Sequence, residues 1–348
     1  MATVLIKLFQ VLQGDCISIE CFDESRDQAA CIFIDAGFVR TYFRTLRPEV
    51  LSINDSQKPI DLFVVTHTDS DHISGILPFL KEFGHLPVKQ FWFNWSPNPV
   101  RLSESNGEIS IKEGIILRDF LIGEGKASGN NILAGQAYEV NGVALTILSP
   151  DEEQFEGFTK KWHKEETRLS EKSGSDIGTG QGRNDHESIN DLSNQKFAED
   201  KSLSNRSSMA FLLEFNGFTG LFTGDSVPSV IIASLEKLGY SQEKKLKLDF
   251  MKVAHHGSKA NTSDELLQML DCAHYGISSN SQNTHNFPHK ETLARIVKAR
   301  EGSTVNFHFN YDDPVLRNIF TSQELADHNI TCHYPAQREN QIQYTWNQ

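Results

Sequence analysis

The spacing of apolar residues along the chain predicts two groups of strands, each followed by helices. In the first group, residues 16–20 alternate apolar and polar positions, as a half-buried strand does. Residues 61–66 form a continuous apolar run, which is typical of a strand buried on both faces. Residues 73–83 follow with apolar positions at helical spacing. Residues 208–215 and 250–254 are the clearest strands of the second group, so the pattern predicts a mixed α/β protein.

The stretch 151–207 interrupts this pattern. Its middle part, residues 170–195, has almost no large apolar side chain, so it cannot bury enough surface to order itself. We therefore predict a polar, flexible insert at about 151–207 within a single domain spanning 1–348. A tolerated surface insertion is the simpler interpretation, and a docking element for a protein partner is the alternative.

Composition and charge narrow the classes of function. The chain has 348 residues, of which 38% are hydrophobic, so a sizeable core can form. Its net charge of −13 argues against binding nucleic acid through overall electrostatic attraction, although a local basic groove is compatible with that charge. We find no apolar run of the roughly 18 residues that a membrane span needs, and no signal-peptide pattern. Five cysteines without a C-x-x-C spacing fit reduced thiols, so we expect a cytoplasmic protein without membrane contact; the oligomeric state is not predicted.

Residue types that bind metal ions follow three of the predicted strands: His67, Asp69, Asp71 and His72 after the first, Asp225 after the second, and His255 and His256 after the third. The carboxyl ends of strands lie along one edge of a sheet, where ligands commonly bind. Alone, Asp225 is typical of a helix cap and His255 of an ordinary polar residue. Four ligand-type residues within six positions, however, would repel or lie unpaired without a cation. The pattern therefore predicts a metal site.

Five sequence motifs resemble the metallo-β-lactamase superfamily, whose signature is His-x-His-x-Asp-His after a strand. Within it, the chain looks like the hydrolase domain of the bacterial DNA-uptake protein ComEC and its free-standing relatives. The motifs occur in order and are QGDCISI (13–19), FIDAG (33–37), THTDSDHISG (66–75), LFTGDS (221–226) and VAHHGSK (253–259). The resemblance implies an α/β fold, a four-layer αββα sandwich with the metal site at the sheet edge.

The resemblance also implies two divalent metal ions, zinc or manganese, each with its own set of ligand residues. It makes His67 and Asp69 ligands of the first ion, and Asp71, His72 and His255 ligands of the second. It makes Asp225 the carboxylate that bridges both ions.

Three residues receive catalytic roles from the same resemblance. The family's nucleophile is a hydroxide that bridges the two ions, and Asp71 is placed to orient it. His255 is preferred over His256 as the metal ligand because the family's last ligand histidine often precedes x-Gly-[Ser/Thr]; His256 then lies behind the ligands or faces the substrate. His289 is expected to hydrogen-bond the leaving group or a phosphate, with an ordinary surface histidine as the alternative.

The chain departs from the family pattern at two places. Asp69 replaces the usual second histidine, which gives a harder, more anionic site that favours manganese. Many members carry a further histidine where this chain reads LSPDEEQ (148–154). Asp151 or a water molecule is the candidate to fill that place, and without either the first ion would bind weakly.

Several polar residues near these motifs allow two interpretations. Asn205, Ser207 and Ser208 precede a strand, where substrate contact and simple capping explain them equally well. Lys252 and Lys259 flank the last ligand and can attract an anion, although a solvated lysine is the default.

Two metal ions suit in-line displacement at phosphorus, so the first hypothesis is a phosphodiesterase or nuclease acting on a phosphate ester or nucleotide. The second is a hydrolase of a lactone, thioester or amide with the same metal site. The third is a metal-stabilised binding module without catalysis.

Overall fold

The computed structural model describes residues 1–25, 28–56, 58–84, 88–96, 109–126, 131–169 and 183–348. The strands in these ranges are β1 Ala2–Phe9, β2 Ile17–Asp23, β3 Gln28–Ile34, β4 Ile60–Val65, β5 Val88–Phe93, β6 Ala137–Val140, β7 Val143–Ser149, β8 Ala210–Phe215, β9 Phe218–Phe222, β10 Leu246–Leu248, β11 Phe250–Lys252, β12 Leu270–Cys272, β13 His274–Ile277, β14 Val305–Phe309, β15 Ile330–His333 and β16 Gln341–Asn347.

The α-helices are α1 Leu46–Asp55, α2 Ser70–Ile73, α3 Ile76–Phe83, α4 Ile109–Gly123, α5 Glu152–Leu169, α6 Ile189–Ser193, α7 Leu203–Arg206, α8 Pro228–Lys237, α9 Asp264–Gln268, α10 Lys290–Ala299, α11 Pro314–Arg317 and α12 Ser322–Asp327. Two short 3-10 helices span Val39–Arg44 and Ala254–Gly257. The helix expected over 73–83 is divided, because α2 ends at Ile73 and α3 begins at Ile76.

The strands form two large sheets. The first has the order β16-β1-β2-β3-β4-β5, and the second has the order β15-β14-β13-β11-β9-β8-β7-β6. Strands β3, β4 and β5 run parallel in the first sheet, as do β9, β11, β13, β14 and β15 in the second. Parallel strands bring their carboxyl ends to one edge of the sheet, which places the residues that follow β4, β9 and β11 where a site can form.

Three separate hydrophobic cores show how the layers stack. One core holds side chains from the inner faces of both sheets, such as Val64 and Phe211. A second lies between the first sheet and helices α1, α3, α4 and α5, and a third lies between the second sheet and its helices. Strand β4 serves two of them, because Leu62 and Val64 face the other sheet while Phe63 and Val65 face the helices. Three cores require four layers, so the expected αββα sandwich is confirmed.

Much of the stretch expected to be a flexible insert is helical. Within 151–207, α5 places Phe155, Phe158 and Trp162 in the core on the helix side of the first sheet. Two short helices, α6 and α7, follow, so the structure differs from the expected loop at 152–169, 189–193 and 203–206. Residues 170–182 lie outside the described residues. Across the described ranges, none of the helices has both the length and the apolarity required to cross a membrane.

A ladder of three histidines crosses strands β13, β14 and β15. The His274 Nδ1 and His308 Nε2 atoms lie 3.0 Å apart, and the His308 and His333 rings stack with centroids 4.5 Å apart. His308 is 6% exposed. Burial, together with the positive charge that His333 and His274 can carry, lowers the pKa of His308 to about 3.

This lowered pKa predicts acid lability. The folded value lies below the unfolded value of about 6.5, so protons bind the unfolded chain first and stability falls as the pH drops below 6.5. At pH 5 the loss from His308 is about 2 kcal/mol. The free energy of unfolding, measured by urea titration, should fall between pH 7 and pH 5 in both proteins. We expect the fall to be smaller in His308→Asn than in the wild type, by about 2 kcal/mol. Replacing the exposed His186 by Asn is the control; equal pH dependence in wild type and His308→Asn would contradict the prediction.

Candidate metal centre

The ends of three strands from both sheets meet at one place. The amide of Met209, just before β8, donates to the carbonyl of Thr66, just after β4, at 3.0 Å. The amide of His255, after β11, donates to the carbonyl of Gly224, after β9, at 3.0 Å. The first bond joins the two sheets, and the second joins neighbouring strands of the second sheet, at the edge where the ligand-type residues lie.

Four buried side chains form the tightest cluster. One ligand atom each from Asp15, His72, Asp225 and His256 lies within 4.8 Å of the other three. The Nε2 atoms of His72 and His256 are 3.2 Å apart. Carboxylates and imidazoles at such separations are the donor set that zinc and manganese accept, so this cluster can hold a metal ion.

Asp225 lies at the centre of the imidazoles. Its Oδ2 atom is 3.7 Å from His67 Nε2, 3.3 Å from His72 Nε2 and 3.6 Å from His255 Nε2. Its Oδ1 atom is 3.6 Å from His256 Nε2. The structure thus brings this carboxylate within reach of all four histidines, which is the position that a bridging ligand requires.

Asp35 and Thr66 orient two of these rings from behind. Asp35 Oδ2 is 2.7 Å from His72 Nδ1 and also accepts the Thr66 hydroxyl at 2.7 Å. The same hydroxyl lies 3.0 Å from His67 Nδ1. Because their Nδ1 atoms are engaged in this way, His67 and His72 both present Nε2 to the cluster.

Unsatisfied buried atoms show that the residues present fit a metal ion. Within the described residues, His67 Nε2, Asp225 Oδ1, Asp15 Oδ1 and His256 Nδ1 are all buried without a hydrogen-bond partner. Such groups are costly unless something else satisfies them. Nε2 of His67 and Oδ1 of Asp225 both point at the cluster, so a cation there would satisfy both.

The charge balance favours a cation as well. Burial would lower the pKa of His72, but the carboxylates of Asp225 and Asp35 raise it well above its usual range. Burial would raise the pKa of Asp225, but His72, His255 and His256 hold it well below its usual range. The Asp225 carboxylate therefore stays ionised and requires positive charge beside it, which protons or metal ions supply.

Asp69 is held by the segment that precedes β8. Its Oδ2 atom is 3.6 Å from His67 Nε2, and its Oδ1 atom accepts the Ser204 hydroxyl at 2.5 Å. Burial would raise the pKa of Asp69, but the His67 imidazole and the Ser204 hydroxyl bring it below its usual range. The structure thus places Asp69 beside His67, as the first ion would require.

The positions of the His255 and His256 rings relative to the second-ion residues differ from our expectation. His256, rather than His255, lies against the second-ion residues, with Nε2 3.4 Å from Asp71 Oδ2. Both histidines have left-handed backbones, with φ of 46° and 55°, which turn their rings to different sides. The His256 ring is fully buried, whereas the His255 side chain is 20% exposed.

His255 has its own hydrogen-bond partners. Its Nδ1 atom lies 2.9 Å from Asn261 Oδ1 and 3.4 Å from Asp200 Oδ2. Asn205 donates to Asp200 at 2.6 Å, and Ser208 Oγ accepts the Asp225 amide at 3.0 Å. Asn205 and Ser208 therefore support ligand-type side chains, which neither interpretation expected. Ser207 ends α7, where its hydroxyl donates to the carbonyl of Ser204 at 2.6 Å, so the capping interpretation is confirmed for this residue.

Two other expected residues lie apart from the cluster. Asp151 Oδ1 accepts the amide of Gln154 at the start of α5, so it caps that helix. His289 Nδ1 accepts the amide of Lys259 at 3.2 Å, and the Phe287 ring lies between His289 and His255. Burial and the Lys259 ammonium lower the pKa of His289 to about 4, so this imidazole is neutral near pH 7.

Sequence reasoning missed four residues: Asp15, Lys252, Asp200 and Asn261. Asp15 belongs to the QGD motif, and its place in that motif was the available signal. Lys252 was expected to be solvated, yet it is fully buried and bonded to Asp15. Asp200 and Asn261 occur in polar surroundings that give no local signal of their contacts with His255.

Comparison with known proteins supports a ComEC-like segment. No family model matches the chain. ComE operon protein 3 of Bacillus subtilis (strain 168) is 28% identical over 123 residues, which are 32% of this chain and 15% of that protein. The chain thus spans only about 15% of the length of the curated relative that it matches.

Solved structures with a similar fold include the metallo-β-lactamase fold protein YhfI from Bacillus subtilis, at 9% identity and a TM-score of 0.45, covering 99% of this chain and 100% of that one. A diphosphatase of the PhnP family is similar at 11% identity and a TM-score of 0.41, and the match covers 99% of this chain and 98% of the diphosphatase. CmlA, a diiron β-hydroxylase from Streptomyces venezuelae, is similar at 11% identity and a TM-score of 0.44, and the match covers 99% of this chain and 54% of CmlA. Because these TM-scores lie below 0.5, the sheet order and the three cores carry the fold assignment. The chain is a four-layer αββα sandwich, and about a third of it is similar to a ComE operon protein.

Proposed function

We propose that the chain is a metal-dependent hydrolase of phosphodiesters, a phosphodiesterase or nuclease that uses two divalent ions, zinc or manganese. The observation that carries the proposal is the buried cluster around Asp225, where imidazole and carboxylate atoms converge and several lack any hydrogen-bond partner. Bound divalent ions would lower the pKa of water and polarise a phosphoryl oxygen.

The side chains divide into two sets around Asp225. His67 and Asp69 would hold the first ion, and Asp71, His72 and His256 would hold the second, with Asp225 shared. This assignment exchanges the roles first expected for His255 and His256. The Asp71 side chain is 22% exposed, so its carboxylate can also face a water molecule at the mouth of the site.

The rim beside His255 carries two cationic side chains, Lys259 and Arg183, each with a carboxylate partner. Lys259 is about half exposed there, and its backbone amide bonds His289. Arg183 donates to the carbonyls of Asn286 and Pro288 at 2.9 and 3.0 Å, which fixes the loop that carries Phe287 against His255. Cationic and neutral donor groups around the ions are what phosphate chemistry needs. Because Glu291 lies 3.8 Å from the Lys259 ammonium and Asp185 accepts from Arg183 at 2.6 Å, the rim has little excess positive charge. In a chain of net charge −13, such a rim suits a short phosphodiester more than a long nucleic acid.

The test is reconstitution. Protein stripped of metal with a chelator should regain turnover of bis(p-nitrophenyl) phosphate when manganese or zinc is added, in proportion to the metal bound. A single-stranded oligonucleotide separates nuclease from small-phosphodiester activity, and p-nitrophenyl phosphate, a monoester, tests for phosphatase activity. A thioester and a lactone test the carbonyl alternative under the same conditions.

Two outcomes would reject the proposal. Faster metal-dependent cleavage of the thioester or lactone than of any phosphodiester would favour the carbonyl hydrolase. Two bound ions per chain with no turnover of any of these compounds would favour the non-catalytic binding module.

A further inference from the structure

A buried ion pair lies directly behind the metal-type residues. The Lys252 ammonium donates to Asp15 Oδ2 at 2.8 Å and to the carbonyl of Val253 at 3.1 Å. Both side chains are 1% exposed, although they are 237 residues apart in the chain. Taking both charges out of water is expensive, so such a pair is poor evidence for a contribution to stability alone.

The second carboxylate oxygen of Asp15 faces the back of His256. Asp15 Oδ1 lies 3.6 Å from His256 Nδ1, and neither atom has a hydrogen-bond partner. The opposite ring nitrogen, Nε2, lies 3.4 Å from Asp71 and 3.6 Å from Asp225. The Asp15 carboxylate and the carboxylates of Asp71 and Asp225 therefore lie on opposite sides of the His256 ring.

The backbone holds Asp15 in this place. Its amide donates to the carbonyl of Asp71 at 3.2 Å. A Cβ on Gly14 would collide with the same carbonyl oxygen, so only glycine permits the turn to approach this closely. The turn that carries Asp15 is thus docked on the loop that carries the second-ion residues.

The charge on Lys252 explains how another carboxylate is tolerated here. Asp71 and Asp225 already surround His256 on its other side. A further unpaired carboxylate would repel them and would be costly to bury. With Lys252 on Oδ2, Asp15 keeps Oδ1 as an acceptor for the imidazole N–H without adding net negative charge.

We propose that Asp15, neutralised by Lys252, is a positioning residue that fixes the His256 ring with Nε2 toward the second metal ion. The inference rests on the proposed function, because it assigns His256 to that ion. A carboxylate behind a ligand imidazole sets its tautomer and orientation, and removing such a partner typically costs about 10- to 100-fold in metal affinity.

Neutral variants separate positioning from simple ion pairing. Asp15→Asn, Lys252→Met and the double variant are prepared without metal, and melting temperature and affinity for zinc and cobalt are measured, the latter by competition with a chelator. We expect Lys252→Met to lower the melting temperature most, since it leaves Asp15 buried and unpaired. We expect the double variant to recover much of that loss but to bind zinc about 10- to 100-fold more weakly than the wild type. The visible spectrum of bound cobalt should change in both variants that lack the Asp15 carboxylate.

The control is another ion pair, Lys7 with Glu49, on β1 and α1. Lys7→Met with Glu49→Gln should change stability without changing zinc affinity. The positioning role would be overturned if Asp15→Asn bound zinc within twofold of the wild-type affinity. It would also be overturned if the double variant regained both the melting temperature and the zinc affinity of the wild type. Loss of one bound ion at saturating zinc in Asp15→Asn would overturn it too, because Asp15 would then be a direct ligand. If the wild type itself binds no metal, the proposed function fails instead.

Discussion

Asp225→Asn is expected to lower metal-dependent turnover on the order of 1000-fold, because several kcal/mol of charge stabilisation depend on the bound ions. The substitution keeps the shape of the side chain but removes the negative charge that faces His67, His72, His255 and His256. We expect bound manganese or zinc, measured by elemental analysis after dialysis, to fall together with hydrolysis of bis(p-nitrophenyl) phosphate.

A surface substitution of the same chemistry provides the control. Asp327→Asn alters an exposed carboxylate at the end of α12, so it should leave metal content and turnover unchanged. Wild-type turnover in Asp225→Asn would show that this carboxylate does not hold the ions. Loss of circular dichroism in Asp225→Asn would instead indicate misfolding, and metal titration of Asp69→Asn would then test the ligand assignment.

Trp162→Ala is expected to lower the free energy of unfolding by about 3–5 kcal/mol, because it empties a large, fully buried site. The Trp162 ring packs against Phe158 and Phe93, with centroids 5.6 and 6.2 Å away. Its indole N–H donates to Glu166 at 2.9 Å, and Glu166 also accepts from the buried Arg118 at 3.0 Å. Urea unfolding followed by circular dichroism measures the change.

Trp162→Phe separates the volume of the ring from its hydrogen bond. It keeps most of the apolar surface but loses the donor to Glu166, so we expect a cost of about 1–2 kcal/mol. If Trp162→Ala changed stability by less than about 1 kcal/mol, α5 would not be part of the core, and the flexible-insert interpretation would return.

The parts of the fold that depend on local pattern could be predicted from the sequence. The continuous apolar run of β4 correctly indicated a strand buried on both faces, with Leu62 and Phe63 facing different cores. The grouping of His67 to His72 directly after it is also local, and these residues do meet. Helix α5 carries a readable signal as well, since Phe155, Phe158 and Trp162 recur at helical spacing; the polar residues around them concealed it.

Contacts between distant parts of the chain could not be predicted in this way. The Lys252–Asp15 bond joins residues 237 positions apart, and nothing near Lys252 indicates that its ammonium is buried. The directions of the His255 and His256 rings depend on two successive left-handed residues, a backbone geometry that is uncommon for residues other than glycine. The family pattern pointed to His255 because it reports the order of residues and not the direction of their side chains. Both imidazoles lie 3.6 Å from Asp225, and His256 alone is also 3.4 Å from Asp71, so the ligand role of either one stays a prediction.

The segment between α6 and β8 reaches the metal-type residues through its side chains: Ser204 bonds Asp69, and Asp200 faces His255. Binding of another molecule that shifts this segment would alter how tightly the ions are held. By thermodynamic reciprocity, loading the ions would change the affinity for that molecule by the same factor. The surface of this segment is therefore linked to the affinity of the candidate metal centre through Ser204 and Asp200.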